Sequence, residues 1–211
     1  RLSDFSNIMA NGKIAIRFSE EDDQLVSVQT CTMDDDVLLA AAGGRAIRFS
    51  ADKVRLFAGR TSTGVRGMTL HGDDKVVSMC ILHGTDASAE ERDAYLKAAP
   101  WKSEPGEVTL PEDRMTMLEE NEQLLLSVTE NGYGKRTSSH DYRLTNRGGQ
   151  GIWNAPSDDG VRATIGAIVQ VFPVENDDQI MMVTDQGKLI RTTVDGVRIA
   201  ARNTKGVRLF N

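Results

Sequence analysis

Apolar and polar residues alternate along most of this chain in short runs, a period that predicts β-strands. The clearest pair of runs covers residues 37–42 and 45–49, and Gly43 and Gly44 stand between them as a two-residue turn. The pattern therefore predicts an all-β fold built from hairpins. Two further hairpins are predicted, one at residues 124–129 with 133–137 and one at 180–184 with 188–192. Five single strands are predicted at residues 13–18, 25–30, 64–70, 76–82 and 165–171.

A short motif recurs along the chain: an arginine, three small or polar residues, a glycine and a β-branched residue. Its copies begin at Arg60, Arg147 and Arg202, and Gly12 marks a fainter copy without the arginine. Gly12 and Gly64 lie 52 positions apart, and Gly151 and Gly206 lie 55 positions apart. Four strands in a repeat of about 50 residues are typical of a propeller-like blade. Outside one insertion, the chain is long enough for about three to four such blades.

The repeat is interrupted by an acidic insertion at residues 84–123. Ser88 and Glu91 have the spacing of a capping box, which predicts a short helix that runs to about Ala98 before Pro100. The rest of the insertion is predicted to be irregular and exposed. Two interpretations remain open, a solvated loop with one helix and a contact element for a partner.

The distribution of charge matters more than its total. The net charge is −6, but residues 84–123 hold 11 acidic and four basic residues, so the repeats carry about +1. The acidic total therefore does not exclude a nucleic-acid partner for the repeats. There is no apolar run of 18 residues, and Cys31 and Cys80 lie in strand-like runs, where both are predicted to be buried and reduced. A cytoplasmic protein is expected.

Catalytic and metal chemistry have little support in the sequence. His71, His83 and His140 are scattered without the spacing of metal ligands. The acidic runs 34–36 and 158–160 do not continue into a calcium-binding loop and are predicted to be turns. No catalytic residue and no metal site are predicted.

The recurring arginines are the strongest functional signal. Arg60, Arg147 and Arg202 occupy one position per repeat, so the repeat predicts that they lie on one rim. Cations spaced along a rim suit a DNA phosphate backbone, because each contact releases counterions and needs no base sequence. The alternative is that these arginines brace turns by bonding to carbonyls or acidic neighbours. Further cations are predicted to join the DNA-binding rim: Arg66, Lys135, Arg136, Arg143, Lys188, Arg191, Lys205 and Arg208.

Several stretches resemble the C-terminal domain of DNA gyrase A, and the resemblance covers nearly everything except residues 84–123. They are Thr-Gly-Val-Arg-Gly at 63–67 with Gly-Asp-Asp-Lys-Val-Val-Ser at 72–78, Asn-Gly-Tyr-Gly-Lys-Arg-Thr at 131–137, Asp-Gln-Ile-Met-Met-Val-Thr-Asp-Gln-Gly at 178–187 and Arg-Asn-Thr-Lys-Gly-Val at 202–207.

This resemblance implies a β-pinwheel, six-bladed in the family, in which neighbouring blades exchange strands and DNA wraps around a basic perimeter. It implies a parent type IIA topoisomerase that introduces negative supercoils, with ATP and Mg²⁺ bound in other domains and no cofactor in this fragment. The implied partners are double-stranded DNA, the rest of gyrase A, and gyrase B in an A2B2 complex. The family's cleavage tyrosine lies in another domain, so Tyr95, Tyr133 and Tyr142 are not assigned that role.

The sequence also departs from the family pattern. The family's signature box, Gln-Arg-Arg-Gly-Gly-x-Gly, has only a degenerate echo at residues 146–151, and the acidic insertion is not part of the pattern. Two alternatives stay open: the equivalent domain of topoisomerase IV, which binds DNA without full wrapping, and a propeller-like scaffold for protein interactions.

Overall fold

A computed structural model describes residues 1–210 and shows short strands, three α-helices and a few single 3₁₀ turns. The strands are β1 (Asp35–Ala41), β2 (Arg45–Ser50), β3 (Val76–His83), β4 (Leu124–Thr129), β5 (Tyr133–Ser138), β6 (Ile152–Trp153), β7 (Ile168–Val174), β8 (Gln179–Val183), β9 (Leu189–Thr193) and β10 (Val207–Arg208). The helices are α1 (Ala89–Ala98), α2 (Glu112–Glu120) and α3 (Asp159–Ile165).

The strands form two four-stranded antiparallel blades and one separate hairpin. The first blade has the order β3-β1-β2-β6, the second has the order β7-β4-β5-β10, and β8 pairs with β9. The predicted all-β, propeller-like architecture and all three predicted hairpins are confirmed. The count of three to four blades is not confirmed, because residues 1–210 complete two.

Each blade takes its strands from three consecutive repeats. The hairpin β1–β2 receives its inner strand, β3, from the second repeat and its outer strand, β6, from the third. The hairpin β4–β5 receives β7 and β10 in the same way. Neighbouring blades therefore exchange strands, as the resemblance implies.

The glycine of each motif is required where the outer strand joins its hairpin. Gly151 and Gly206 have φ values of +71° and +78°, a region that side chains with a Cβ rarely adopt. A Cβ on Gly151 would collide with the carbonyl oxygen of Ala46, and one on Gly206 would collide with that of Gly134. Since Ala46 and Gly134 are both the second residue after a hairpin turn, the two collisions are the same contact in successive blades.

Three of the predicted strands do not form. Residues 13–18, 25–30 and 64–70 have no strand structure, because residues 1–210 contain no hairpin in the right place to pair with them. For the same reason Cys31 is exposed, against the prediction, whereas Cys80 in β3 is buried as predicted. A segment with the alternation of a strand therefore forms no strand when residues 1–210 do not include the hairpin with which it would pair.

The connection before β7 also differs from the prediction. Residues 159–165, which overlap the predicted strand 165–171 only at Ile165, form α3. Its N-cap Asp158 accepts a hydrogen bond from the Val161 backbone N–H at 2.9 Å. Gly166, with φ +77°, ends the helix, and β7 begins two residues later. Asp158 therefore caps a helix, whereas the sequence predicted a simple turn at residues 158–160.

The core lies between the two complete blades. Leu38 and Leu82 of the first blade and Leu125 and Val171 of the second are fully buried in one cluster with Tyr142. The Tyr142 hydroxyl donates a hydrogen bond to the Asn154 side chain inside this cluster. Because the blades share one core, they hold their outer edges at a fixed separation.

Candidate nucleic-acid interface

The three motif arginines make the same hydrogen bond in successive repeats. In each case Nη1 donates to the carbonyl oxygen of the residue two positions after the glycine of the preceding copy. The side chains are half-buried rather than fully exposed. The bonds run from Arg60 to Ile14 (3.1 Å), from Arg147 to Arg66 (3.0 Å) and from Arg202 to Trp153 (2.6 Å).

Two of these arginines make a second repeated bond. Nε of Arg147 donates to the carbonyl oxygen of Lys53 at 3.0 Å, and Nε of Arg202 donates to that of Asp141 at 3.2 Å. Lys53 and Asp141 both end the 3₁₀ turn that follows a blade hairpin. The Asp141 carboxylate also lies 3.3 Å from Arg202 Nε. This geometry matches the brace interpretation, because each guanidinium links one motif to the preceding copy.

Lys135 does not lie on an exposed rim. It is 3% exposed, and its Nζ donates to the carbonyl oxygens of Ala201 (3.2 Å), Thr204 (2.8 Å) and Arg202. Burial lowers the pKa of Lys135 to about 7. The ammonium group holds the third motif turn against β5, so the structure corrects its predicted placement among the accessible cations.

Arg136 is also buried, against its predicted place on the rim. Its Nε donates to the carbonyl oxygen of Val197 at 2.7 Å, Nη2 to that of Asp195 at 2.9 Å, and Nη1 to the Asn176 side chain at 2.5 Å. These partners surround the hairpin β8–β9. Arg136 therefore ties the second blade to that hairpin.

Arg48 occupies the equivalent position in the first blade. Its Nε lies 2.8 Å from Asp36 Oδ2, Nη1 donates to the Ser139 carbonyl oxygen at 2.8 Å, and Nη2 donates to the His83 carbonyl oxygen at 3.1 Å. Ser139 follows the hairpin of the second blade, just as Asp195 follows β9. One strand position thus carries a buried arginine that links each blade to the next.

The other six predicted cations are exposed, and two of them surround an aromatic ring. In the second blade, Lys205 Nζ lies 4.7 Å from the Tyr133 ring centroid and the Arg208 guanidinium carbon lies 5.6 Å from it. Arg208 is directly opposite Tyr133 where β10 pairs with β5. The exposed members of the predicted set are Arg66, Arg143, Lys188, Arg191, Lys205 and Arg208.

The first blade has an equivalent cluster, in which the aromatic residue and the paired arginine exchange strands. Trp153 is opposite Arg45 where β6 pairs with β2, and the Arg45 and Arg162 guanidinium carbons lie 4.3 Å and 4.6 Å from its ring centroid. Arg45 and Arg162 were not predicted as site residues. Aligning the first residue after each hairpin turn with the second residue after each motif glycine would have identified the Arg45–Trp153 pair.

Together, these residues form two edge clusters, one on the outer edge of each complete blade. We define them as Arg45, Trp153 and Arg162 on the first blade, and Tyr133, Lys205 and Arg208 on the second. In each cluster an aromatic face restrains two cations, and Arg162 of the first cluster also pairs with the carboxylate of Asp159. Repeated, ordered positive charge at the outer edges suits an anionic polymer that passes from blade to blade.

The acidic insertion is folded against the blades, which corrects the prediction of a mostly irregular excursion. The capping box of Ser88 and Glu91 and the helix up to Ala98 are confirmed. The second helix, α2, was missed because Pro111 is a poor N-cap and no capping signal precedes the helix. Tyr95 and Leu118 from the two helices are fully buried in a small core of the insertion.

His140 and Glu122 attach the insertion to the second blade. His140 Nε2 lies 2.9 Å from the Leu118 carbonyl oxygen, and its ring meets the Tyr95 ring edge-on at 5.1 Å. The Glu122 carboxylate accepts hydrogen bonds from Ser138 Oγ at 2.7 Å and from Trp101 Nε1 at 3.4 Å. Burial raises the pKa of Glu122. The insertion is therefore packed firmly against the second blade.

The buried His140 predicts a pH dependence of stability. Burial lowers its pKa to about 4, only partly opposed by the Leu118 carbonyl, and Nδ1 is buried without a partner among residues 1–210. An unfolded histidine takes up its proton near pH 6.5. Between pH 6.5 and 4 the unfolded chain binds more protons, so the unfolding free energy is expected to fall with decreasing pH, by up to about 1.4 kcal/mol per pH unit.

Urea unfolding at pH 6.5, 5.5 and 4.5 measures this dependence in wild type, His140→Gln and His71→Gln. The slope of the unfolding free energy against pH should become shallower in His140→Gln. It should stay unchanged in His71→Gln, because His71 is exposed. Equal slopes in wild type and His140→Gln would contradict the assignment of this pH dependence to His140.

Two kinds of site are absent from the residues that the structure describes. Residues 1–210 hold no group of three or more His, Cys, Asp or Glu side chains placed to bind a metal ion. Over the same residues, no helix is both long and apolar enough to cross a membrane.

A family model described as "DNA gyrase C-terminal domain, beta-propeller" matches residues 1–32, 35–79, 123–152 and 178–211. The match leaves out most of the insertion and residues 153–177, which include α3 and β7.

Curated relatives match along the whole chain. DNA gyrase A of Rickettsia bellii is 46% identical over 99% of this chain, and that of Granulibacter bethesdensis is 44% identical over 100% of it. DNA gyrase A of Salmonella typhimurium is 35% identical over 99%. The chain spans 24%, 24% and 19% of these three relatives, respectively, so it corresponds to about a quarter of their length or less.

Solved structures have the same fold. The C-terminal domain of DNA gyrase A aligns with a TM-score of 0.66 at 24% identity, over 95% of this chain and 54% of that one. The C-terminal domain of DNA topoisomerase IV aligns with a TM-score of 0.69 at 18% identity, over 93% of this chain and 48% of that one. At these identities the likeness supports the fold alone.

Proposed function

The chain belongs to the DNA gyrase C-terminal domain family, and from this premise we propose that it binds duplex DNA and wraps it along its outer blade edges. The observation that carries the proposal is the pair of edge clusters. The two clusters lie at equivalent places on successive blades, and each holds two cations against an aromatic ring. A duplex that touches both clusters follows the turn from one blade to the next.

The energetics favour several distributed contacts. Smooth bending of a 20–30 base-pair site by 40–90° costs on the order of 1–6 kcal/mol, so one cation is not enough to hold a bent duplex. Each phosphate contact releases counterions and weakens with salt. The exposed Arg66, Arg143, Lys188 and Arg191 extend the edge clusters along the chain. The motif arginines shape this surface by bracing the turns that carry it.

The whole protein is proposed to be the gyrase A component of a DNA gyrase, since the curated relatives have that name. In that assembly the fragment would supply DNA binding, while DNA cleavage, ATP and Mg²⁺ belong to other domains and to gyrase B in an A2B2 complex. A cytoplasmic location is proposed on the same basis. The likeness to topoisomerase IV concerns the fold, and the family match favours gyrase.

Plasmid topology tests wrapping directly. The chain is bound to relaxed circular DNA, a type I topoisomerase removes unconstrained torsion, and the linking number is read on a gel after the protein is removed. Wrapping predicts a linking-number shift that grows with the ratio of protein to DNA. A chain that binds the plasmid at low salt without any shift would contradict wrapping, and a chain that does not bind would contradict the proposed function.

A further inference from the structure

Trp153 is a large aromatic residue that the hydrophobic cores do not use. It is half-buried, and within residues 1–210 it belongs to none of the four hydrophobic core clusters. Tyr133, the ring of the second edge cluster, differs in this respect because it packs partly against the core between the blades. The ring of Trp153 is therefore available for contacts at the blade surface.

Two guanidinium groups share this ring. The guanidinium carbons of Arg45 and Arg162 lie 4.3 Å and 4.6 Å from its centroid. The quadrupole of an aromatic ring attracts cations that lie over its face, and the indole ring attracts them most strongly. Two like charges so close to one point repel each other. The ring thus holds on one surface patch two positive charges that would move apart without it.

Each arginine also has an anchor of its own. Arg45 Nη1 donates to the Gly151 carbonyl oxygen at 3.2 Å. Arg162 Nη1 donates to the Ser157 carbonyl oxygen at 2.7 Å, and its Nη2 pairs with the Asp159 carboxylate. These anchors tie the two arginines to separate elements, the turn before β6 and the N-terminal end of α3. Among these contacts, the ring is the one that both arginines have in common.

The backbone of Trp153 is itself held in place. Arg202 Nη1 donates to the Trp153 carbonyl oxygen at 2.6 Å, and β6 pairs Trp153 with Arg45 of β2. The ring therefore projects from a fixed backbone position, in register with one of its two arginines. Side chains that are ordered before a ligand binds lose less conformational freedom on binding, and affinity rises accordingly.

We propose that Trp153 is a positioning residue for DNA: its ring holds Arg45 and Arg162 in the arrangement in which they contact the phosphates. This inference rests on the proposed DNA binding. Ordering one long side chain on binding costs about 2- to 12-fold in affinity, and the separate anchors already restrain each arginine in part. Loss of the ring is therefore expected to weaken duplex binding by about 5- to 10-fold, with the number of phosphate contacts unchanged.

Duplex affinity over a range of salt concentrations separates positioning from direct contact. Trp153→Leu is expected to bind a 40-base-pair duplex about 5- to 10-fold more weakly at every salt concentration, with an unchanged slope of log affinity against log salt. Trp153→Tyr introduces the ring type of the second edge cluster and is expected to regain most of the lost affinity. Circular dichroism confirms that both variants are folded at the temperature of the measurement.

The outcomes distinguish this inference from the proposed function. Full affinity in Trp153→Leu, a shallower salt slope in that variant, or no recovery in Trp153→Tyr would overturn the positioning role and leave DNA binding in place. A wild-type chain that does not bind the duplex at low salt would overturn both.

Fluorescence tests the same role without altering the ring. The chain has two tryptophans, so Trp101→Phe leaves Trp153 as the single one. Acrylamide quenching of its emission is expected to decrease when the duplex binds, because the DNA covers the arginines that lie over the ring. Acrylamide is neutral, so the charge of the duplex does not change its local concentration. Equal quenching with and without bound duplex would overturn the positioning role.

Discussion

Replacing Arg48 by leucine is expected to lower the free energy of unfolding by roughly 3–5 kcal/mol, the usual cost of leaving one partner of a buried ion pair alone. Arg48 is 1% exposed and Asp36 is 3% exposed. The substitution leaves the Asp36 carboxylate unpaired, and it also removes the donors to the carbonyl oxygens of His83 and Ser139. The loss is large because three acceptors, two of them in buried hydrogen bonds, lose a donor at once.

Arg191 provides a matched control for this substitution. It occupies the same hairpin position in β9 as Arg48 does in β2, but it is exposed and forms no ion pair with any residue from 1 to 210. Arg191→Leu should change the unfolding free energy by less than about 0.5 kcal/mol. Urea unfolding followed by circular dichroism compares both variants with wild type. A loss below about 1 kcal/mol in Arg48→Leu would contradict the inter-blade link.

Replacing all four edge-cluster cations by glutamine is expected to weaken DNA binding by roughly 4,000-fold at 0.1 M salt. The estimate assigns one phosphate contact to each cation and about 0.9 units of salt dependence to each contact. Glutamine keeps some hydrogen-bonding capacity, so the change chiefly removes charge. The cations are Arg45, Arg162, Lys205 and Arg208.

The control for this variant removes charge elsewhere. Lys97 and Lys102 belong to the insertion and lie outside both edge clusters. Lys97→Gln with Lys102→Gln should leave DNA affinity within a fewfold of wild type, since neither side chain lies on an outer blade edge. Fluorescence anisotropy with a 40-base-pair duplex compares the two variants. If the control weakened binding as much per charge as the edge variant, net charge rather than the clusters would determine affinity.

Local features of the fold could be predicted from the sequence, and long-range ones could not. The hairpin around Gly43 and Gly44 and the helix capped by Ser88 depend on residues a few positions apart, so the alternation and the capping box identified them. The failure at residues 25–30 has a different cause. That segment has a correct strand pattern, but a strand needs a partner, and strand exchange places the partner in another repeat.

The candidate site shows the same limit. The period identified Arg147 and Arg202 as equivalent positions, and the structure gives them equivalent bonds. The repeat period alone does not predict which groups surround an arginine side chain. Lys135 and Arg136 are buried because the third motif turn and the hairpin β8–β9 cover them, and these contacts cross about 40 to 70 residues of sequence. Arg45 was missed because its partner, Trp153, is more than 100 positions away in sequence.

The salt dependence of duplex binding tests the central claim, which is that the cations of the edge clusters bind DNA while motif arginines brace the fold. It is measured for wild type, the four-glutamine edge variant and Arg147→Ala, at a temperature where all three are folded. The account predicts that the slope of log affinity against log salt becomes shallower by about 3.6 units in the edge variant and is unchanged in Arg147→Ala. An unchanged slope in the edge variant, or a slope that Arg147→Ala reduces by about one unit, would contradict it.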